Sequence, residues 1–120
     1  MLEKVNLAEK LALFDDHFNP KIVGELNDSY IKLSKFKGEF VMHSHEAEDE
    51  LFLVLKGKML MKLQDREIEV SEGELIIIPK GVEHCPDAED EVHLMLVEPK
   101  TTLNTGNVRS ELTVGKLERI

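Results

Sequence analysis

The sequence predicts an all-β domain, a sandwich or barrel preceded by one short helix. Three observations carry this. Short runs rich in Leu, Ile, Val, Phe and Met recur from residue 30 to residue 97, separated by Gly, Pro and Asp turn signals. A helix start occurs only before Pro20, and a chain of 120 residues suits one core without help from disulfides.

At the N-terminus, Asn6 followed by Glu9 forms a capping-box pattern, with Leu7, Leu11 and Phe14 at helical spacing behind it and Pro20 closing the segment. Strands are then expected over YIKLSKF (30–36), EFVMHSH (39–45), LFLVL (51–55), KMLMKL (58–63), REIEV (66–70), ELIII (74–78) and EVHLMLV (91–97). Gly38, Gly57, Gln64-Asp65, Gly73, Pro79-Lys80-Gly81 and Pro86-Asp87 supply the turns between them. From residue 98 the chain reads as turn-rich and ends in one more short strand. No repeat, low-complexity tract or linker divides it, so residues 1–120 are expected to form a single domain.

Twenty-four acidic against 15 basic residues give a formal charge of −9, which opposes binding to phosphate backbones and anionic membrane surfaces. The longest apolar run, LFLVL, is far shorter than a membrane span. The charged start MLEKVNLAEK is unlike a secretory leader, and the lone Cys85 has no partner for an intrachain bridge; a cytoplasmic protein is expected. LFLVL and LIII are apolar on both faces, so something must cover the outer side of the sheet. A second subunit is the more economical cover, giving a homodimer. Residues 1–30 are the alternative.

The stretch HSHEAEDELFLVLKG, residues 43–57, sets costly polar groups beside an apolar strand. In extended chain His43 and His45 share a face, roughly 7 Å apart at Cβ, and Ser44 points the other way. Glu50 opens the next strand after a short acidic turn and shares its face with Phe52 and Val54. His84 follows the turn Pro79-Lys80-Gly81. Three imidazoles and a carboxylate suit a first-row divalent ion with coordination positions to spare. The same groups could instead satisfy one another as a polar network. Cys85, beside His84, faces away from it and reads as a small buried hydrophobe.

Gly38, His43, His45, Glu50 and Gly57 resemble the first cupin motif, G-x5-H-x-H-x3-4-E-x6-G, and Gly73, Pro79, Gly81 and His84 resemble the second, G-x5-P-x-G-x2-H-x3-N. The departures are one residue fewer between Gly38 and His43, and Ala88 at the final asparagine position. The resemblance implies a double-stranded β-helix, the cupin jelly roll, with one divalent metal ion (Fe, Mn, Ni, Co or Zn) held by His43, His45, Glu50 and His84. The flanks PKIVGELNDSY and VEPKTTLNTG are similar to those of small single-domain cupins labelled by loose likeness to mannose-6-phosphate isomerase.

The expected function is binding of, or action on, a small neutral or weakly acidic molecule at that ion, as a metal-dependent oxygenase or isomerase. A non-catalytic small-molecule or metal-binding module and a sugar-phosphate isomerase are the alternatives. Phe52, Val54 and His93 are the expected pocket wall. Tyr30, His93 and Glu98 are the candidates for a proton-transferring group beyond the ligand set.

Overall fold

The computed structural model describes residues 2–120. Asn6 caps helix α1 (Leu7–Leu11), its side-chain oxygen accepting from the Glu9 N–H at 3.0 Å, so the capping pattern forms as expected. The helix is shorter than its apolar spacing implied, and Phe14 lies beyond it. Eight strands follow: β1 (Lys21–Leu26), β2 (Ser29–Glu39), β3 (Glu50–Lys56), β4 (Lys58–Leu63), β5 (Glu67–Ser71), β6 (Leu75–Ile78), β7 (His84–Pro99) and β8 (Glu118–Arg119).

The long strand β7 organises the fold. Its second half lies between β2 and β3, with Leu94 opposite Ser34 and Val54, and Leu96 opposite Lys32 and Phe52. Its first half leaves β3 and pairs with β4, Pro86 opposite Met61. A single strand thus serves both layers of the jelly roll, and β6-β3 and β5-β4 close the two sides. The core fills the space between: Phe36, Phe52, Val54, Met59, Met61, Val70, Ile78, Ala88, Val92, Leu94 and Leu96. Strand alternation sends Val92, Leu94, Leu96 and Glu98 inward and His93, Met95 and Val97 outward.

Three strand readings differ from expectation, the first being β7, which begins at His84 and runs through Pro86-Asp87 where a turn was expected. KIVGEL forms β1, where the sequence reading placed only a flank. The segment expected as a strand over 39–45 is not one. It meets the 81–86 segment intermittently, through Phe40 N–H to Pro86 O, the paired His43 and His84 backbone bonds, and Gly81 N–H to His45 O. A broken ladder leaves the segment free to turn successive side chains toward one point.

On the outer face, Leu51, Leu53 and Leu55 are half-buried, while Leu75 and Ile77 on β6 are 56% and 54% exposed. Helix α1 contacts β2.

Candidate metal centre

Backbone geometry brings the four sequence-predicted side chains to one point. His43 and His84 face each other in an isolated antiparallel bridge, N–H to O at 3.0 and 2.8 Å, with ring centroids 4.3 Å apart. His45 stands two residues on, its ring 4.9 Å from that of His43. Glu50, the first residue of β3, enters from below. All four are buried, and one nitrogen or oxygen from each lies within 4.8 Å of the others. Ligands held 2.0–2.2 Å from a common ion are separated by roughly 3–4 Å. The cluster therefore has the dimensions of a slightly open coordination shell.

Its hydrogen bonding is one-sided. His43 Nδ1 donates to Val41 O at 2.8 Å and His84 Nδ1 to Val82 O at 2.9 Å, so that in the neutral ring each Nε2 carries the lone pair. His43 Nε2 has no partner, and neither ring nitrogen of His45 forms an aligned hydrogen bond. Glu50 Oε1 sits 3.1 Å from His84 Nε2 and 3.2 Å from His45 Nε2. Lone pairs converging on a carboxylate oxygen in a dry interior are unfavourable unless a cation stands among them. These residues fit a divalent ion. Burial pushes His43 down to about 4, keeping it neutral and able to donate its lone pair.

A second buried layer supports Glu50. Glu98, on the inward face of β7, accepts from Lys32 Nζ on β2 at 2.7 Å, both side chains only 1% exposed. Burial, followed by the charge of Glu50 and a hydrogen bond with it, holds Glu98 well above the usual carboxylate range. Burial would raise Glu50 too, but Glu98 and the His45 and His84 rings beside it outweigh burial and hold Glu50 well below that range. These opposite directions favour the pair's proton on Glu98 rather than on Glu50. Glu98 Oε2 is buried without a hydrogen-bond partner.

Beside the cluster lies an apolar cavity of about 20 Å³, lined by Phe18, Pro20, Phe36, Phe40, Phe52, Pro86 and Leu96, with His43, Glu50, Glu98 and Asn104 as its polar wall. That is room for about one water. On the outer side His45 opens to a cleft of about 340 Å³ whose walls include Glu46, Glu48 and Thr101. Residues after β7 brace this rim: Asn107 Oδ1 accepts from Ser44 N–H at 2.9 Å, and Asn107 N–H returns to Ser44 O at 3.1 Å. Gly106 adopts φ +55°, and a Cβ there would fall 2.2 Å from Ser44 O, so only glycine fits behind the histidines.

Of the expected pocket wall, Phe52 lines the cavity, Val54 is buried in the core beyond it, and His93 points outward, its Nε2 2.9 Å from Glu91 Oε1. His17 holds the other Glu91 oxygen at 2.7 Å. Tyr30 lies at the end of β2 among Lys100, Arg119 and Lys32, and Cys85 is buried with its thiol pushed up to about 11 by burial. Glu98 is the one candidate proton-transferring group that reaches the site. Lys32, Phe18 and Asn104 carried no sequence signal, whereas the alternation of EVHLMLVE places Glu98 on the face of Leu94 and Leu96.

Residues 33–98 match a protein-family model described as "Cupin domain". The protein YdbB of Bacillus subtilis is 40% identical over 63 residues, covering 52% of this chain and 56% of that protein. "Putative dioxygenase SSO1533" of Saccharolobus solfataricus is 32% identical over 96 residues, covering 78% of this chain and 25% of that protein. The chain thus spans about half the length of the first of these relatives and a quarter of the second. A solved cupin-2 domain protein from Shewanella frigidimarina superposes with a TM-score of 0.79 at 42% identity, covering 80% of this chain and 94% of that one.

Proposed function

Because the chain belongs to the cupin domain family, we propose that it is a metal-dependent cupin acting on a small neutral or weakly acidic molecule, with oxygenase chemistry ahead of isomerase chemistry. His43, His45, Glu50 and His84 hold one divalent ion, Fe, Mn, Ni, Co or Zn. The observation that carries the reading is the set of unpartnered imidazole nitrogens turned on a buried carboxylate. A bound ion supplies Lewis acidity and a template for two substrate oxygens. The protein's own contribution is threefold: the backbone carbonyls of Val41 and Val82 orient the imidazoles, the phenylalanine wall excludes water, and Glu98 keeps a proton next to Glu50. The resemblance of this chain to a dioxygenase-named relative favours the oxygenase branch. A non-catalytic binding module is the second reading, favoured by the smallness of the cavity.

The sugar-phosphate alternative is disfavoured by charge. A phosphate dianion needs cationic or backbone donors, yet Lys32, the buried cation behind Glu50, is spent on Glu98, and the outer cleft carries Glu46 and Glu48. Calorimetric titration of metal-loaded protein with mannose 6-phosphate and fructose 6-phosphate is expected to show no binding at micromolar concentrations, against measurable binding of an unphosphorylated diketone or hydroxy acid. Micromolar binding of either phosphate, with turnover lost in Glu50→Gln, would restore the isomerase reading.

The proposed assembly is a homodimer through the outer face of β3 and β6, where Leu75 and Ile77 stay exposed in the single chain. Such an interface should bury more than about 1,000 Å² and be mainly apolar. Equilibrium sedimentation should give a salt-insensitive dimer at micromolar concentration, and Ile77→Lys a monomer. A wild-type monomer across that range contradicts the assembly.

A further inference from the structure

Phe18 is a bulky residue held at φ +56°, in the left-handed region that such side chains rarely adopt. It stands in the segment between α1 and β1, and its N–H donates to Lys35 O at 2.9 Å. Its ring caps the cavity beside Glu50 and His43, 4.8 Å from Phe36 and 5.2 Å from Phe40, nearly parallel to the latter at 22°. Phe40 in turn meets the His43 ring edge-on at 5.4 Å. The chain is tied down on both sides of it. Lys35 Nζ donates to Phe14 O at 2.6 Å, Asp16 accepts from Lys21 and Asn19, and His17 meets Glu91.

Strained backbone at a pocket wall, with anchored neighbours, is the arrangement in which one side chain can leave while its segment stays. Unseating the Phe18 ring opens a benzene-sized space next to the cluster. With the ring in place the cavity holds about one water. The space vacated is flat and aromatic on two sides, bounded by Phe36 and Phe40. Its polar end consists of Glu50, Glu98 and Asn104, which receive hydroxyl groups better than anions.

We propose that Phe18 is a plug that determines which molecules reach the centre, and that the ligand it admits is a small planar ring compound bearing adjacent hydroxyl or enol oxygens, its ring replacing that of Phe18 against Phe36 and Phe40. This inference rests on the reading that the ligand's oxygens meet an ion at His43, His45, Glu50 and His84.

Zinc-loaded protein and metal-free protein in chelator are titrated by calorimetry with catechol and with glycolate, a two-oxygen ligand lacking the ring. The chains compared are wild type, Phe18→Ala, Phe18→Leu and Phe18→Trp, Phe18→Leu preserving an apolar seat where alanine may not fold. Removing the ring is expected to raise catechol affinity at least tenfold in both the zinc-loaded and the metal-free protein, to change glycolate affinity less than twofold, and to leave zinc affinity unaltered. Phe18→Trp should weaken catechol alone. Equal catechol affinity in all the folded chains, or catechol and glycolate shifting together, overturns the plug. Failure of wild-type protein to bind zinc removes the metal reading instead, and the metal-free catechol comparison still decides the role of Phe18.

Discussion

Glu98→Leu is expected to destabilise the protein by about 3–5 kcal/mol, lowering its melting temperature by roughly 10–20 °C. The substitution leaves the Lys32 ammonium fully buried with its 2.7 Å partner gone. Lys32→Met should cost clearly less. Glu98 already holds a proton under the influence of burial and of Glu50, so losing the lysine leaves a neutral acid in place of a naked charge. The double variant Lys32→Met/Glu98→Leu should recover most of the loss, since an apolar pair of similar volume replaces a buried polar pair at little cost. Urea denaturation of the metal-free chains gives the three values. A larger loss for Lys32→Met than for Glu98→Leu would contradict the placement of the shared proton. In the metal-loaded protein, Glu98→Leu should weaken metal binding by about 10–100-fold, because Glu50 loses the polar neighbour that orients it, whereas Glu98→Gln, whose amide N–H can still donate to Glu50, should weaken it less.

Metal removal and acid should each weaken the fold through the same side chains. At a hundredfold excess over its Kd, a bound ion adds about 3 kcal/mol, lost on chelation. In the metal-free protein His43 is held at about 4 against the ordinary 6.5. Between those values the unfolded chain binds a proton that the folded chain refuses, so stability present above pH 6.5 declines as pH falls toward 4 and levels off below it. The decline from this one residue is on the order of 3 kcal/mol. His43→Phe should flatten the pH profile across that window and abolish the response to chelator. A profile unchanged by the substitution would mean that His43 is not the buried neutral group described.

Much of this was legible in the sequence because spacing survives folding. The two histidines one residue apart, the glutamate opening an apolar strand and the histidine after Pro-Lys-Gly converge as their spacing implied. The segment 39–45 is not a strand because apolar residues there serve a wall and not a ladder: Phe40 lines the cavity, and only His43 forms a reciprocal bridge. YIKLSKF hid the second layer. Register with β7 turns Lys32, Ser34 and Phe36 inward, which puts a lysine on the core face. The lysine is tolerated there because Glu98, 66 residues away, meets it. Phe18 lies in a loop whose positive φ no composition announces. Long-range pairing and local strain are set by tertiary packing, which single-sequence patterning does not encode.

The most direct test of the metal centre is a cobalt(II) titration of chelator-treated protein followed by visible absorption. Cobalt bound by three imidazoles and a carboxylate should give d–d bands that saturate at one equivalent per chain, vanish in His84→Ala and return to the colourless state on displacement by zinc. Bands of equal intensity and stoichiometry in wild type, His43→Ala and His84→Ala, or no bands in wild type, would contradict the assignment of His43, His45, Glu50 and His84 as the site.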